Sequence, residues 1–373
     1  MEMKMKLSER LKHIDYDGYV DKIIKKLKLE KQIFIFGAGS RAQTLARFLI
    51  DNGIVIDSFF VNRKYFVEGK IINIKRQEIP IKCFESEIEK LYDVTIVLGI
   101  SSSTTDMNQF NKRAISDVIS ISLGTRDDYL MKKDFYNLYV DELDYLYNQL
   151  ADDYSRDCMY AHFYGRLTGK DIPFKANKYS DPQYFFEEFM CWKESECYVD
   201  CGAYTGDSIE EFLIKMPQKI VKNYTIYAWE PDEENFKQLK RKYEKNKNIN
   251  FLCLGAYSKE TQLFFMKGDG ELSALSSSGD IKINVDSIDK IMGKEKATFI
   301  KMDIEGSELE ALKGAKNQIM NYSPRLAICV YHKKEDLITI PQLIVNYNPR
   351  YHLYLRPHSS MPTELTLFCI PKT

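Results

Sequence analysis

The stretch "CYVDCGAYTGDSIEEF", residues 197–212, limits what the chain can fold into more than any other. Cys197, Tyr198 and Val199 are an apolar, β-favouring run ended by a glycine-containing turn, which predicts a buried strand. Behind the turn, Ile209, Phe212 and Leu213 supply the apolar face of a helix, and Ser208 precedes Glu211 at capping-box spacing. Between them Gly202 and Gly206 permit a tight turn and let a ligand approach the backbone with no Cβ in the way. On this stretch alone two readings stand side by side: a ligand seat, or a turn that needs glycine for its own geometry.

The rest of the chain repeats strand, turn and helix. From Gln32 to Gly124, "QIFIFGAGS" reads as a strand and glycine turn, "RAQTLARFLIDNG" as a helix ending near Gly53, and "IVIDSFFV", "DVTIVLGIS" and "VISISLG" as further strands. Residues 125–195 change character. Tyr129, Phe135, Tyr136, Tyr139, Leu143, Tyr147 and Leu150 recur at roughly helical spacing before "SRDCMYAHFYGRLTG", which predicts a helical connector. A second series follows with strands "CYVDCG", "TIYAWE", "INFLCLGAYS", "TFIKMD" and "RLAICVY", separated by helical stretches such as "DEENFKQLKRKYEKN" and "SELEALKGAKNQIM". After Pro349, "YHLYLR" and "LTLFCI" have no long helix between them and predict a closing antiparallel pair. The expected fold class is therefore α/β with two doubly wound domains. A Rossmann-like domain covers 1–124, the connector 125–195 and the second α/β domain 196–373, in keeping with a length of 373 residues.

Charge and composition exclude several partners. A formal net charge of −1 provides no basic field for nucleic acid or an anionic membrane. From Phe135 to Leu150 no basic residue interleaves the connector's aromatic stripe, which reads as core rather than a base-stacking platform. The opening "MEMKMKLSER" has no apolar centre for a signal peptide, and no apolar run nears the roughly 18 residues of a membrane span. A cytoplasmic protein is expected. Its eight cysteines read as buried free thiols, and the Cys197 and Cys201 pair lacks the companions of a zinc site.

The two glycine turns differ in what surrounds them. "GAGSRA" has Gly37 and Gly39 with Ala42 at the third fingerprint position, but its second strand ends on Asn62, and Asp57 falls too early to hold a ribose. A nicotinamide site is therefore not expected there, although Gly37, Gly39 and the helix start can still receive an anion. The turn after Asp200 has better company. Glu230, ahead of Pro231, ends the next strand; Ala256 and Tyr257 end the third; Asp303 and Glu305 end the fourth. In an open α/β sheet these strand ends share one rim, where an acid can accept both hydroxyls of a ribose.

From Asp200 to the C-terminus the chain resembles the FkbM family of S-adenosylmethionine-dependent methyltransferases. The resemblance lies in "VDCGAYTGDS", "WEPDEENFKQL", "VDSIDKI", "FIKMDIEGSELEALKGA" and "VYHKKEDL", with "DCMYAHFYGRLTG" and "DPQYFFEEF" as lead-in, so that it covers residues from about 150 to 373. It implies a class I methyltransferase fold and S-adenosyl-L-methionine as cofactor. The matching positions are Asp200, Gly202, Ala203, Tyr204, Gly206, Glu230, Pro231, Ala256, Tyr257 and Asp303. It also implies O-methylation of a sugar, a glycan precursor or another small molecule. Tyr204 departs from the Asn of many members, Ile288 replaces the usual Leu, and the N-terminal domain lies outside the family core.

Each candidate also has a structural alternative. Asp200 can bond its own turn, Glu230 can cap the helix that Pro231 starts, and Glu305 can favour the helix opened by Ser307, whose box partner would be Glu310. Asp289 reads equally as structure, and Tyr184 as core or cofactor lid. His332 follows "AICVY" at the acid rim and is the expected general base, oriented by Glu305 or Asp303; His358 ranks below it. No metal is assigned, although a second reading makes Asp303, Glu305 and His332 ligands of a divalent ion. Two rivals to the enzyme remain open: a binding scaffold without turnover, and a fusion with a nicotinamide-dependent N-terminal domain.

Overall fold

The structure, a computed structural model, describes residues 5–14, 18–100, 105–121, 123, 130–170, 183–220, 223–266, 274–276, 281–357 and 365–372. Its contacts divide into two units, Met1–Asp144 with Met159–Lys178 and Ser359–Thr363, and Tyr145–Cys158 with Tyr179–His358 and Glu364–Thr373.

The first unit is built on strands β1 (Ile33–Phe36), β2 (Ser58–Val61), β3 (Ile71–Ile74), β4 (Gln77–Cys83), β5 (Val94–Leu98) and β6 (Ile115–Ser120), in the order β3-β4-β2-β1-β5-β6. All neighbouring pairs are parallel except β3 with β4. Strand alternation sends Ile33 and Ile35 to one core, with Ala42, Leu45 and Leu49 of the helix Ser40–Asp51. Phe34 and Phe36 go to another, where Phe60, Phe84 and Phe110 join them. Burial on both faces explains the uninterrupted apolar "IFIF". The β3–β4 hairpin adds two strands that periodicity does not announce. Its turn uses Lys75 and Arg76 at φ 49° and 67°, where Asn-Gly would be the sequence signal.

The second unit carries two sheets. Strands β7 (Glu196–Cys201), β8 (Tyr224–Trp229) and β9 (Ile249–Leu252) begin the larger one. A four-stranded sheet of β10 (Gly255–Ala256), β11 (Thr261–Met266), β12 (Ala274–Ser276) and β13 (Ile281–Asp286) then intervenes. The chain returns to the larger sheet with β14 (Phe299–Met302), β15 (Arg325–Cys329), β16 (Tyr351–Pro357) and β17 (Leu365–Pro371). The order there is β16-β17-β15-β14-β7-β8-β9, with β17 antiparallel to β15 and β16, and the rest parallel. This is a doubly wound α/β sheet closed by the expected antiparallel pair. Tyr198 packs between Phe212 and Phe299, with ring centroids 4.8 and 5.5 Å away. At the opposite end of the sheet from the glycine turn, Arg325 donates to Glu196 at 2.5 Å, and both side chains are buried.

Several expectations need correction. "INFLCLGAYS" is not one strand: β9 stops at Leu252, and β10 belongs to the smaller sheet. Gly255 permits the switch, since a Cβ there would sit 3.0 Å from the Val285 side chain. Neither capping box forms. The helix Asp207–Lys215 is capped by Gly206 at φ 91°, and Ser307, which precedes the helix Glu308–Lys313, makes no side-chain cap bond. Glu310 instead accepts from Ser258 and Lys313. Six cysteines are buried, but Cys191 and Cys253 are exposed. Connector helices run over Lys133–Leu138, Val140–Gln149 and Asp153–Thr168, while His358 and Tyr129 lie outside the described residues. Among the described residues no helix is long and apolar enough to cross a membrane.

Candidate functional site

From β7 the chain builds β8 and β9 on one side and returns to β14 and β15 on the other, which makes the carboxyl ends of β7 and β14 the switch point of the sheet. A cavity of about 380 Å³ opens there, within the range of small-ligand sites. Gly202, Tyr204, Glu230, Pro231, Ala256, Asp303 and Glu305 line it, together with Tyr184. Asp200, Ala203, Gly206, Tyr257 and His332 do not.

The first turn is held tightly against its neighbour. Gly202 has φ 81°, and a Cβ on it would lie 2.0 Å from the Asp303 carbonyl oxygen, so only glycine fits. Asp200 lies beneath this turn, fully buried. Its Oδ2 accepts from Ser208 at 2.5 Å, and its Oδ1 faces Lys301 Nζ at 3.2 Å. Lys301 also donates to the Gly202 carbonyl at 2.6 Å. Burial lowers the lysine's pKa, but Asp200 and Asp303 outweigh it and hold Lys301 above the ordinary range. Asp200 thus acts through Ser208 and Lys301 to fix the turn. Gly206 serves packing: a Cβ there would meet the Tyr243 ring at 2.5 Å. Ala203 is buried with its amide on the Trp229 carbonyl, and Tyr257 packs against Ile283 and Val285.

Glu230 faces the cavity from the end of β8, 6% exposed. Oε2 accepts from the Tyr204 amide at 2.8 Å and Oε1 from the Asp232 amide at 2.9 Å. Burial pushes its pKa up to about 7; the two amides and Lys301 pull it down, and the Asp232 charge adds to the rise. Tyr204, which starts from the same turn, sits at φ 47°, one of two non-glycine residues at the rim in the left-handed region.

Glu305 is the other, at φ 55°, after Asp303 leaves β14. Asp303 Oδ2 accepts from the buried Tyr184 hydroxyl at 2.9 Å, which brings the lid candidate to the acid rim. His332, 3% exposed, points Nε2 toward the same carboxylates, 3.4 Å from Asp303 Oδ1 and 3.7 Å from Glu305 Oε2. Its ring is fixed by neither: Nδ1 lies 2.7 Å from Glu308 Oε1, a partner the sequence does not reveal. Burial alone would lower the imidazole's pKa, but Glu308, then Asp303 and Glu305, raise it to about 9. Asp289 is placed by structure, accepting from the amides of Asn317 and Gln318.

Lys301 is a second residue of the site absent from the sequence-based candidates, yet it leaves a signal. A lysine inside "FIKMD", a strand buried throughout, demands a buried acid, and register places it opposite Asp200. Glu308 leaves none, because nothing local ties it to a histidine 24 residues later.

Residues 200–351 match the family model described as the Methyltransferase FkbM domain. The fold is similar to the crystal structure of methyltransferase FkbM from Methylobacillus flagellatus KT, with a TM-score of 0.73 and 23% identity over 97% of each chain. A slighter likeness, with a TM-score of 0.31 and 8% identity, relates 48% of this chain to 67% of Aeropyrum pernix fibrillarin, crystallised with natively bound S-adenosyl-L-methionine. No curated protein matches the sequence.

Proposed function

We propose that the chain, whose residues 200–351 match the methyltransferase FkbM domain model, methylates a hydroxyl oxygen of a small acceptor, a sugar or glycan precursor among the candidates, with S-adenosyl-L-methionine as the methyl donor. The observation that supports the cofactor most is Glu230. A buried acid at the end of β8, held by two backbone amides and facing a cavity, suits the pair of hydroxyls of a ribose. Gly202, packed against the Asp303 carbonyl as only glycine can be, sets the turn that lines the same cavity.

When bound, the cofactor supplies an electrophilic methyl group on a sulfonium sulfur that leaves as a neutral thioether. The residues of the chain then have two tasks. Gly202, Tyr204, Glu230 and Ala256 hold the donor, with Lys301 and Asp200 bracing the turn from below. Asp303 and Glu305 receive the acceptor with its oxygen in line with the methyl carbon, at a separation of about 3 Å. Transfer would exchange the carbon–sulfur bond for a carbon–oxygen bond, with the electron pair leaving on sulfur, so what the chain's own residues must do is take the hydroxyl proton. His332 holds its own proton up to about pH 9, so at neutral pH it is poorly suited to be the base that its place in the sequence suggests. As long as no cation occupies them, the rim carboxylates Asp303 and Glu305 are the groups placed to take the proton.

The test is transfer itself. Incubating the purified chain with cofactor labelled in the methyl group and a small-molecule extract should give a labelled, acid-stable product whose new ether is found by mass spectrometry. Label on nitrogen or carbon would contradict the oxygen assignment, and no labelled product with any extract would contradict the enzyme reading in favour of a scaffold.

A further inference from the structure

We propose that Asp303, Glu305 and His332 bind one divalent cation at the edge of the cavity. The use assigned to the ion rests on the methyl-transfer reading above; the site itself rests on the side chains alone. His332 carries the inference. Its side chain is 1% exposed, and Nδ1 lies 2.7 Å from Glu308 Oε1. That carboxylate is fully buried and also accepts from the Ile304 amide at 2.9 Å. Oε1 already serves as an acceptor for that amide, so Nδ1 is the donating nitrogen and the ring is locked with Nε2 turned the other way. Nε2 is buried without a hydrogen-bond partner. It faces Asp303 Oδ1 at 3.4 Å and Glu305 Oε2 at 3.7 Å, both longer than an ordinary hydrogen bond.

Those separations have the size of an ion. Two donors each about 2.1 to 2.3 Å from one cation sit roughly 3 to 4 Å apart, and one ligand atom from each of the three residues lies within 4.8 Å of the others. A carboxylate behind one imidazole nitrogen, with the other nitrogen aimed at ligating groups, is also how proteins orient a metal-binding histidine. A second cluster, Glu308, His332 and Asp336, meets the same distance limit. There the imidazole nitrogen, Nδ1, is already taken up by Glu308, and Asp336 Oδ2 by the Lys333 amide at 2.6 Å.

Asp303 and Glu305 also line the cavity, with side chains 25% and 28% exposed, so the remaining positions around an ion would be open to water and to the acceptor. Two carboxylate oxygens and one imidazole nitrogen suit Mn²⁺ or a cation of similar preference. Such an ion would make the acceptor's hydroxyl more acidic, so that its proton passes to water as the oxygen takes the methyl group.

The experiment is a titration of the full chain, stripped with chelator and dialysed, with Mn²⁺ alone, following free Mn²⁺ by electron paramagnetic resonance. The proposal expects one ion per chain, a nitrogen coupling in the pulsed spectrum, and binding weakened about tenfold or more in both Glu305→Gln and Asp303→Asn. Absence of binding, binding without nitrogen coupling, or affinity unchanged in both variants would each overturn it. Cofactor affinity measured on the same samples separates the two readings: cofactor binding without Mn²⁺ binding sinks the cation site alone, whereas wild type that binds Mn²⁺ but no cofactor sinks the methyl-transfer reading.

Discussion

Glu230 and Gly202 show how single residues shape the site and what each contributes. Glu230's pKa, about 7, stands above its ordinary 4.5 because burial outweighs the pull of the two amides and of Lys301. A group raised on folding gives stability that is fully present below its unfolded pKa and lost as pH rises through the folded one. The ligand-free protein should therefore lose up to roughly 3 kcal/mol from this group between about pH 5 and 8, a component absent from Glu230→Gln. Parallel stability profiles from chemical denaturation at several pH values would show that Glu230 is not so perturbed. Gly202→Ala tests the turn: with φ 81° and a carbonyl oxygen 2.0 Å from the new Cβ, it should cost at least about 2 kcal/mol in the same assay. A loss below about 0.5 kcal/mol would mean that the turn can yield. Both residues are legible in the sequence because each sits where an apolar strand stops. Glu308, which orients His332, is not legible, since only the folded chain brings the two together.

The elements of the parallel sheets follow from apolar runs, most of them ended by a glycine turn or an acid, and those runs predict β1, β2, β5, β7, β8, β14 and β15. The strands that escape are those whose signals are absent or shared. The β3–β4 hairpin turns on Lys75 and Arg76, and Pro80 within β4 argues locally against a strand. The break between β9 and β10 lies inside one apolar run, so composition cannot mark it. Between elements, the buried Glu196–Arg325 pair ties the starts of β7 and β15, two strands separated by β14. Arg325→Met would leave Glu196 buried beside Thr298 without its counter-charge, at a cost of about 3 to 5 kcal/mol. Urea denaturation checks this, and a loss under about 1 kcal/mol would show that Thr298 and the Lys193 amide suffice for Glu196.

At the scale of the molecule, two α/β units each present a glycine turn, but among the described residues only the second has acids at its neighbouring strand ends. In the first unit β2 runs out at Val61 into Asn62 and the turn Arg63–Tyr65, with no carboxylate in the ribose position. Titration of the full chain with NAD should therefore give no saturable heat in the micromolar range, and tight binding would assign that unit a nicotinamide role. The second unit bears the central claim, that its cavity holds S-adenosyl-L-methionine by Glu230. Calorimetric titration of the cofactor into wild type and Glu230→Ala tests it most directly. Micromolar binding in the wild type, weakened by about 1 to 3 kcal/mol in the variant as the ribose hydroxyls lose their acceptor, is the predicted result; equal affinity in the two proteins, or no binding to the wild type, would contradict it.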